Sequence, residues 1–305
     1  MLLVTLLLVA QSFVPGQRLE ATCAGQWATV TTSATAIAAD CEAVPEPPPP
    51  GNLRIVVGHL DVDLFARVPM ASVQALRVMS VDRSVGYNIS QGVGVCLPAG
   101  SGAAPTFCRR WAWTDGSYPS PSMTWTPHAL PTWTYYNWPN SYGAEPQLPC
   151  VSRTNKMACW AEYVDATAGQ WDVVSAQPSY LDAASEISVA DYLATYEALK
   201  VRHPNLVIML HTASLAREIG TAANHAFNEA VRAHVAAHGG VLIDIADIET
   251  YDPYGTPWFY NGYPVIAPHY TSEKVGGHLQ SPSAGMIRIA EAWWVALGQI
   301  AGWRP

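Results

Sequence analysis

Beyond about residue 52 the chain alternates between short apolar runs and longer segments with helical spacing. Leu76-Arg77-Val78-Met79-Ser80-Val81 is the first such run, and the turn Asp82-Arg83-Ser84-Val85-Gly86 follows it. Asp172-Val173-Val174-Ser175-Ala176, Leu206-Val207-Ile208-Met209-Leu210 and Val241-Leu242-Ile243-Asp244-Ile245 repeat the pattern. Runs with no polar alternation predict strands covered on both faces, as in a parallel sheet. Between them, Ser188-Val189-Ala190-Asp191 has capping-box spacing and opens a helix that His203-Pro204 stops. Thr221 to His238 places Ala226, Phe227, Ala230, Val231 and Val235 on one helical face and ends at Gly239-Gly240. Ser283 to Ala301 reads as a last helix rich in Ile, Ala and Trp. Alternating strands and helices predict a three-layer α/β/α sandwich with a mainly parallel, flavodoxin-like sheet, whose ligands bind at the carboxyl ends of the strands.

Two stretches break that rhythm. The N-terminus, MLLVTLLLVAQSFVPGQRLEA, has an apolar segment from Leu2 to Ala10, too short to cross a bilayer. It reads as a signal peptide over residues 1–21, with cleavage after Gly16 or Ala21 and no membrane anchor left behind. A Thr/Ala-rich and then Pro-rich segment spans 22–51 and reads as a linker, so the folded domain is expected over 52–305. From about 98 to 170 the chain is rich in Trp and Pro, without a period. This stretch reads as an insertion over the strand ends. Its rings could stack on sugars or acyl groups, or could form a small satellite core.

Composition narrows the function. Of 305 residues, 50% are hydrophobic and 13% charged, which suits a folded globular chain. The formal charge of -8, with only 16 Lys and Arg and no basic run, argues against a nucleic-acid partner. Six cysteines at 23, 41, 96, 108, 150 and 159 fall into sequential pairs without zinc-type spacing. Disulfides Cys23–Cys41, Cys96–Cys108 and Cys150–Cys159 are the expected set, and they fit an extracellular or periplasmic location. His234 and His238 stand one helical turn apart, but no acidic third ligand accompanies them, and a solvated face is the better reading. No metal or cofactor is expected. Asp244, Asp247 and Glu249 at a strand end are read mainly as caps and loop partners. Asn88-Ile89-Ser90 matches a glycosylation sequon by coincidence, since it lies within a predicted helix.

The candidate chemistry is acyl transfer, which needs a nucleophile, a base and oxyanion donors. Ser84 ends the first core strand and enters a helix, and His278 sits in a glycine-flanked loop before the last helix. If the sheet closes as expected, both stand on the same rim.

Asp82-Arg83-Ser84-Val85-Gly86-Tyr87-Asn88-Ile89 resembles the nucleophile block of a secreted bacterial branch of the SGNH (GDSL-type) hydrolases. Trp171 to Asp182, Ile243 to Glu249 and Gly276-Gly277-His278-Leu279 resemble its later blocks in the same order. The resemblance covers roughly residues 53 to 303. It implies an ester hydrolase with Ser84 as nucleophile and His278 as general base. The Ser84 N–H, Gly86 and Asn88 would form the oxyanion hole, helped by Gln177 or Ser179 where the family carries asparagine. The family's acid, three residues before the histidine, is replaced by Val275. Glu273 either reaches back to fill that role, or the site is a Ser–His dyad. The implied substrate is a small-molecule or polysaccharide ester, a carbohydrate O-acetyl group being one form. The rival readings are an O-acyltransferase and a non-catalytic carbohydrate-binding protein on a degenerate hydrolase scaffold.

Overall fold

A computed structural model describes residues 53–69, 73, 75–93, 133–139, 146–279 and 284–305, and the backbone of 18–23, 26–32 and 37–40. The expected signal segment up to Gln17, the proline run, the aromatic stretch up to 132, and the pairs Cys23–Cys41 and Cys96–Cys108 lie outside the residues or side chains so described.

The chain divides into two units, Met1–Glu46 and Pro47–Pro305. In the first, β1 (Arg18–Cys23), β2 (Gln26–Thr32) and β3 (Ile37–Asp40) form an antiparallel meander in the order β1-β2-β3. Thr and Val dominate β2, as suits a pleated strand. β1 crosses the boundary after Ala21.

The second unit is built on six parallel strands: β4 (Arg54–Val57), β5 (Val78–Asp82), β6 (Trp133–Asn137), β7 (Val173–Ala176), β8 (Val207–His211) and β9 (Gly240–Ile243). Their order is β4-β9-β8-β7-β5-β6, each pair parallel. Read from β6, the order 6-5-7-8-9 is the flavodoxin-like 2-1-3-4-5, with β4 added beyond β9. The fold is the expected α/β/α sandwich.

Burial on both faces explains the uninterrupted apolar runs. Val78, Val173, Met209 and Val241 belong to one core; their neighbours Met79, Val174, Ile208 and Leu242 belong to the other. The first core also takes in α1 (Val85–Gln91) and α6 (Ala284–Ile300), with Trp293 and Trp294 fully buried. The second takes in α2 (Lys156–Thr167), α3 (Val189–Arg202) and α4 (Thr221–His238). Ser188 caps α3 by accepting from the Asp191 N–H at 3.0 Å. Gly239 (φ 72°) and Gly240 (φ 117°) end α4 in a conformation that side chains resist. After β9, the short helix α5 (Ile245–Thr250) is capped by Asp244, which accepts from the Asp247 N–H at 3.1 Å.

The stretch from about 98 to 170 is not wholly an insertion. Its Trp133–Asn137 segment is β6, an edge strand in register with β5, and Lys156–Thr167 is α2. Cys150 bonds to Cys159, as expected, and so fastens the chain entering α2 to its first turn.

Candidate active site

The sheet reverses direction of growth between β5 and β7, and a crevice at the carboxyl ends of such strands is where ligands bind in this fold. Ser84 stands there, two residues beyond β5, with φ 45° and ψ -74°. Positive φ is strained for a residue with a side chain, and such strain clusters at functional sites. Ser84 begins α1, but its side chain makes no capping hydrogen bond, so the hydroxyl is not spent on the helix.

Three features hold this sharp turn. The Arg83 N–H donates to the Asp82 carboxyl. Arg83 reaches Glu186 at 2.9 Å, Lys156 reaches Glu186 at 2.6 Å, and Lys156 also pairs with Asp182. This network ties the chain before Ser84 to the turn after β7 and to the start of α2. Gly86 is the third feature. A Cβ there would lie 2.3 Å from the Asp82 side chain, so only glycine fits. Its N–H donates to the Arg83 carbonyl at 3.2 Å. Gly86 thus gives room for Asp82 and closes the turn. Asp82 is fully buried, and burial raises its pKa well above the ordinary carboxylate range.

His278 lies on the loop before α6. The His278 Nδ1 donates to Glu273 Oε1 at 2.7 Å, and the His278 N–H donates to Glu273 Oε2 at 3.2 Å. A carboxylate only accepts, so this contact places the proton on Nδ1 and leaves Nε2 as the basic nitrogen. Glu273 therefore reaches His278 across the two-residue offset. The Glu273 N–H donates in turn to Thr271 Oγ1 at 3.1 Å.

One hydrogen bond joins the two halves. The Leu279 N–H, immediately after His278, donates to Asn88 Oδ1 at 3.0 Å. Asn88 lies one turn beyond Ser84 on α1 and is fully buried. Its side chain thus staples the histidine loop to the serine helix, and a buried amide cannot carry a glycan. The sequon is a coincidence.

Gln177 continues the chain beyond β7, and its N–H donates to the Val81 carbonyl at 2.9 Å. Its side-chain Nε2 is buried without a partner among the described residues, which leaves a donor at the strand end beside β5. Ser179 instead closes the turn after β7, where its Oγ accepts from the Asp182 N–H at 3.3 Å while Asp182 accepts from the Ser179 N–H at 2.8 Å.

Sequence reasoning gave no role to Tyr180. Its ring meets His278 edge to face, with centroids 6.3 Å apart. Burial first, then the Glu273 charge, raises its pKa and keeps the phenol neutral. Its place within the second block was the one available signal.

The remaining candidates are structural. His234 Nε2 pairs with Glu197 at 2.8 Å. Asp247 accepts from the His59 N–H at 2.8 Å and from its ring at 2.7 Å, and Asp244 binds Arg232. A cavity of about 220 Å³ lined by Tyr196, Lys200, Val201 and Gly240 opens at the amino ends of β8 and β9. That is the edge opposite Ser84, and it holds none of the site residues. No described helix is long and apolar enough to cross a membrane.

No protein-family model matches the chain. No curated protein matches it by sequence either. Among solved structures, a candidate acylhydrolase of Bacteroides fragilis is similar at a TM-score of 0.44 and 12% identity, covering 79% of this chain and 95% of that one. Two variants of a Geobacillus acetyl-xylooligosaccharide esterase score 0.38 and 0.37 at 14% identity, covering 73% and 75% of this chain and 94% and 95% of theirs.

Proposed function

We propose that this protein is a secreted serine esterase that works through an acyl-Ser84 intermediate. The observation that carries the reading is the Glu273–His278 pair at 2.7 Å, on a loop stapled through Leu279 and Asn88 to the helix that Ser84 begins.

That geometry supports the following roles. Ser84 Oγ attacks the ester carbonyl and gives its proton to His278 Nε2. The imidazolium that forms is stabilised by Glu273 through Nδ1–H, and Glu273 holds the ring in the tautomer that can accept the proton. The Ser84 N–H, Gln177 Nε2 and Asn88 Nδ2 are the donors for the oxyanion, the last two buried without a partner among the described residues, while Asn88 Oδ1 serves as the staple. Collapse of the tetrahedral intermediate expels the alcohol, which takes the proton back from His278. Water, deprotonated by the same nitrogen, then releases the acid and restores Ser84. The presence of Glu273 favours a working site over a degenerate scaffold.

Two features support the finer reading. The Leu2–Ala10 stretch supports export, and the Cys150–Cys159 bond suits an oxidising compartment. Export and the aromatic composition point to an ester borne by a polysaccharide, such as an O-acetyl group. Ser84→Ala is expected to abolish turnover of a short-chain nitrophenyl ester while circular dichroism stays unchanged; turnover at the parent rate ends the assignment.

A further inference from the structure

We infer that Glu249 is a positioning residue for the general base, acting through the peptide of Leu215 and the glycine before His278; this rests on the serine-esterase reading. Glu249 is fully buried at the end of α5 and takes no part in the chemistry above. Its Oε2 accepts from the Leu215 N–H at 2.5 Å, and Oε1 has no partner among the described residues.

The Leu215 peptide is where the histidine loop rests. A Cβ on Gly277 would lie 2.0 Å from the Leu215 carbonyl oxygen, closer than any side chain can approach. Gly277 therefore lies flat on that peptide, one residue before His278. The contact continues beside it: the Arg217 N–H donates to the Gly276 carbonyl and the Glu218 N–H to the Val275 carbonyl, both at 3.0 Å. Glu249 also holds the start of the same loop, because its main-chain carbonyl accepts from the Ala267 N–H at 2.8 Å.

One residue thus sets the height of the bed under Gly277 and the point from which the Ala267–Leu279 loop departs. Asn228 holds the neighbouring peptide of that bed, Ala213, through its side chain on both the N–H and the carbonyl. Without the Glu249 acceptor, the Leu215 N–H would be buried and unpaired, a penalty the Leu215 segment relieves by shifting. A shift there moves His278. A misplacement of about 1 Å in a catalytic group costs on the order of a hundredfold in rate.

The test compares Glu249→Gln, which keeps a carbonyl acceptor, with Glu249→Met, which keeps length and bulk but not the acceptor. With a nitrophenyl acetate substrate, Glu249→Gln is expected within threefold of the parent kcat. Glu249→Met is expected to lose tenfold or more in kcat with KM within about twofold, the pattern of a displaced base and not of lost binding. Gly277→Ala, which leaves Glu249 untouched, is expected to lose kcat likewise and decides the matter if Glu249→Met fails to fold. Parent-level kcat in a folded Glu249→Met, equal losses in the Gln and Met variants, or parent-level kcat in Gly277→Ala overturns the inference. An enzyme that needs Ser84 yet ignores Glu249 sinks this inference alone. One that ignores Ser84 sinks the assignment beneath it.

Discussion

Replacing Glu273 with alanine removes the partner of His278 Nδ1 and tests the base directly. In the transition state the imidazole gains a proton, so the 2.7 Å contact becomes a hydrogen bond between opposite charges. At a separation of about 4 Å and an effective dielectric of about 20, the Coulomb attraction is about 4 kcal/mol. Here the two side chains are 30% and 39% exposed, so water screens the pair and partly replaces the lost carboxylate. A net contribution of about 1.5–3 kcal/mol is the value for a hydrogen bond to a charged group. At about 1.4 kcal/mol per decade, kcat is expected to fall roughly 10- to 150-fold. Because the gain appears only as the ring becomes charged, KM should stay within about twofold. Glu273→Gln is expected to lose at least as much. Its amide can donate to Nδ1, which moves the ring proton to Nε2 and leaves no site for the serine proton. Steady-state hydrolysis of nitrophenyl acetate by the two purified variants provides the assay. A folded Glu273→Ala with kcat within twofold of the parent would refute the role given to the acid.

Two stability predictions follow from groups away from the site. Glu291 is buried in α6, and burial raises its pKa to about 8, against the pull of Arg288. Between its ordinary value and about pH 8 the folded chain keeps a proton that the unfolded chain releases, so its stabilising effect is complete at low pH and is lost as pH rises through that window. Glu291→Gln, which has no proton to lose, should therefore raise Tm at pH 8 and leave it unchanged at pH 4; a Tm difference independent of pH contradicts this. The Cys150–Cys159 bond closes a loop with a sequence separation of 9, for which chain entropy gives about 2–3 kcal/mol. Replacing both with serine should lower the denaturant midpoint accordingly, and an unchanged midpoint would show that the bond constrains nothing.

The parts of the fold legible in the sequence are those whose surroundings are uniform. β5, β7, β8 and β9 are inner strands whose residues all meet one core or the other, so they appear as unbroken apolar runs. Among the described strands β6 and β4 lie at the edges of the sheet, β6 carrying on its outer side only a bridge from Asn137 to Gln147. β6 is half-buried along most of its length and reads as Trp-Thr-Tyr-Tyr-Asn, while β4 alternates exposed and buried residues over only four positions. Neither carries enough periodic signal to stand out. In the candidate site, Ser84 and His278 stand out in the sequence by their order and their glycine-rich surroundings, and Glu273 only as the nearest acid before His278. Gly86 was not, because its necessity comes from the Asp82 side chain folding back beneath it. Tyr180 offers no more than its place in the second block, and Glu249 reads mainly as a cap or loop partner, because what each meets is laid against it by a distant segment.

The edge strand β4 has a consequence for how the chain is made. Arg54 pairs with Gly240, so the earliest strand of the large sheet finds its neighbour only after nearly all the others have been synthesised. Until then Ile55 and Val57 have no sheet to join, and the long closure slows the final step. A ribosome that stalls before residue 240 therefore leaves a sticky ribbon unprotected, and holding it apart from other nascent chains becomes work for a chaperone.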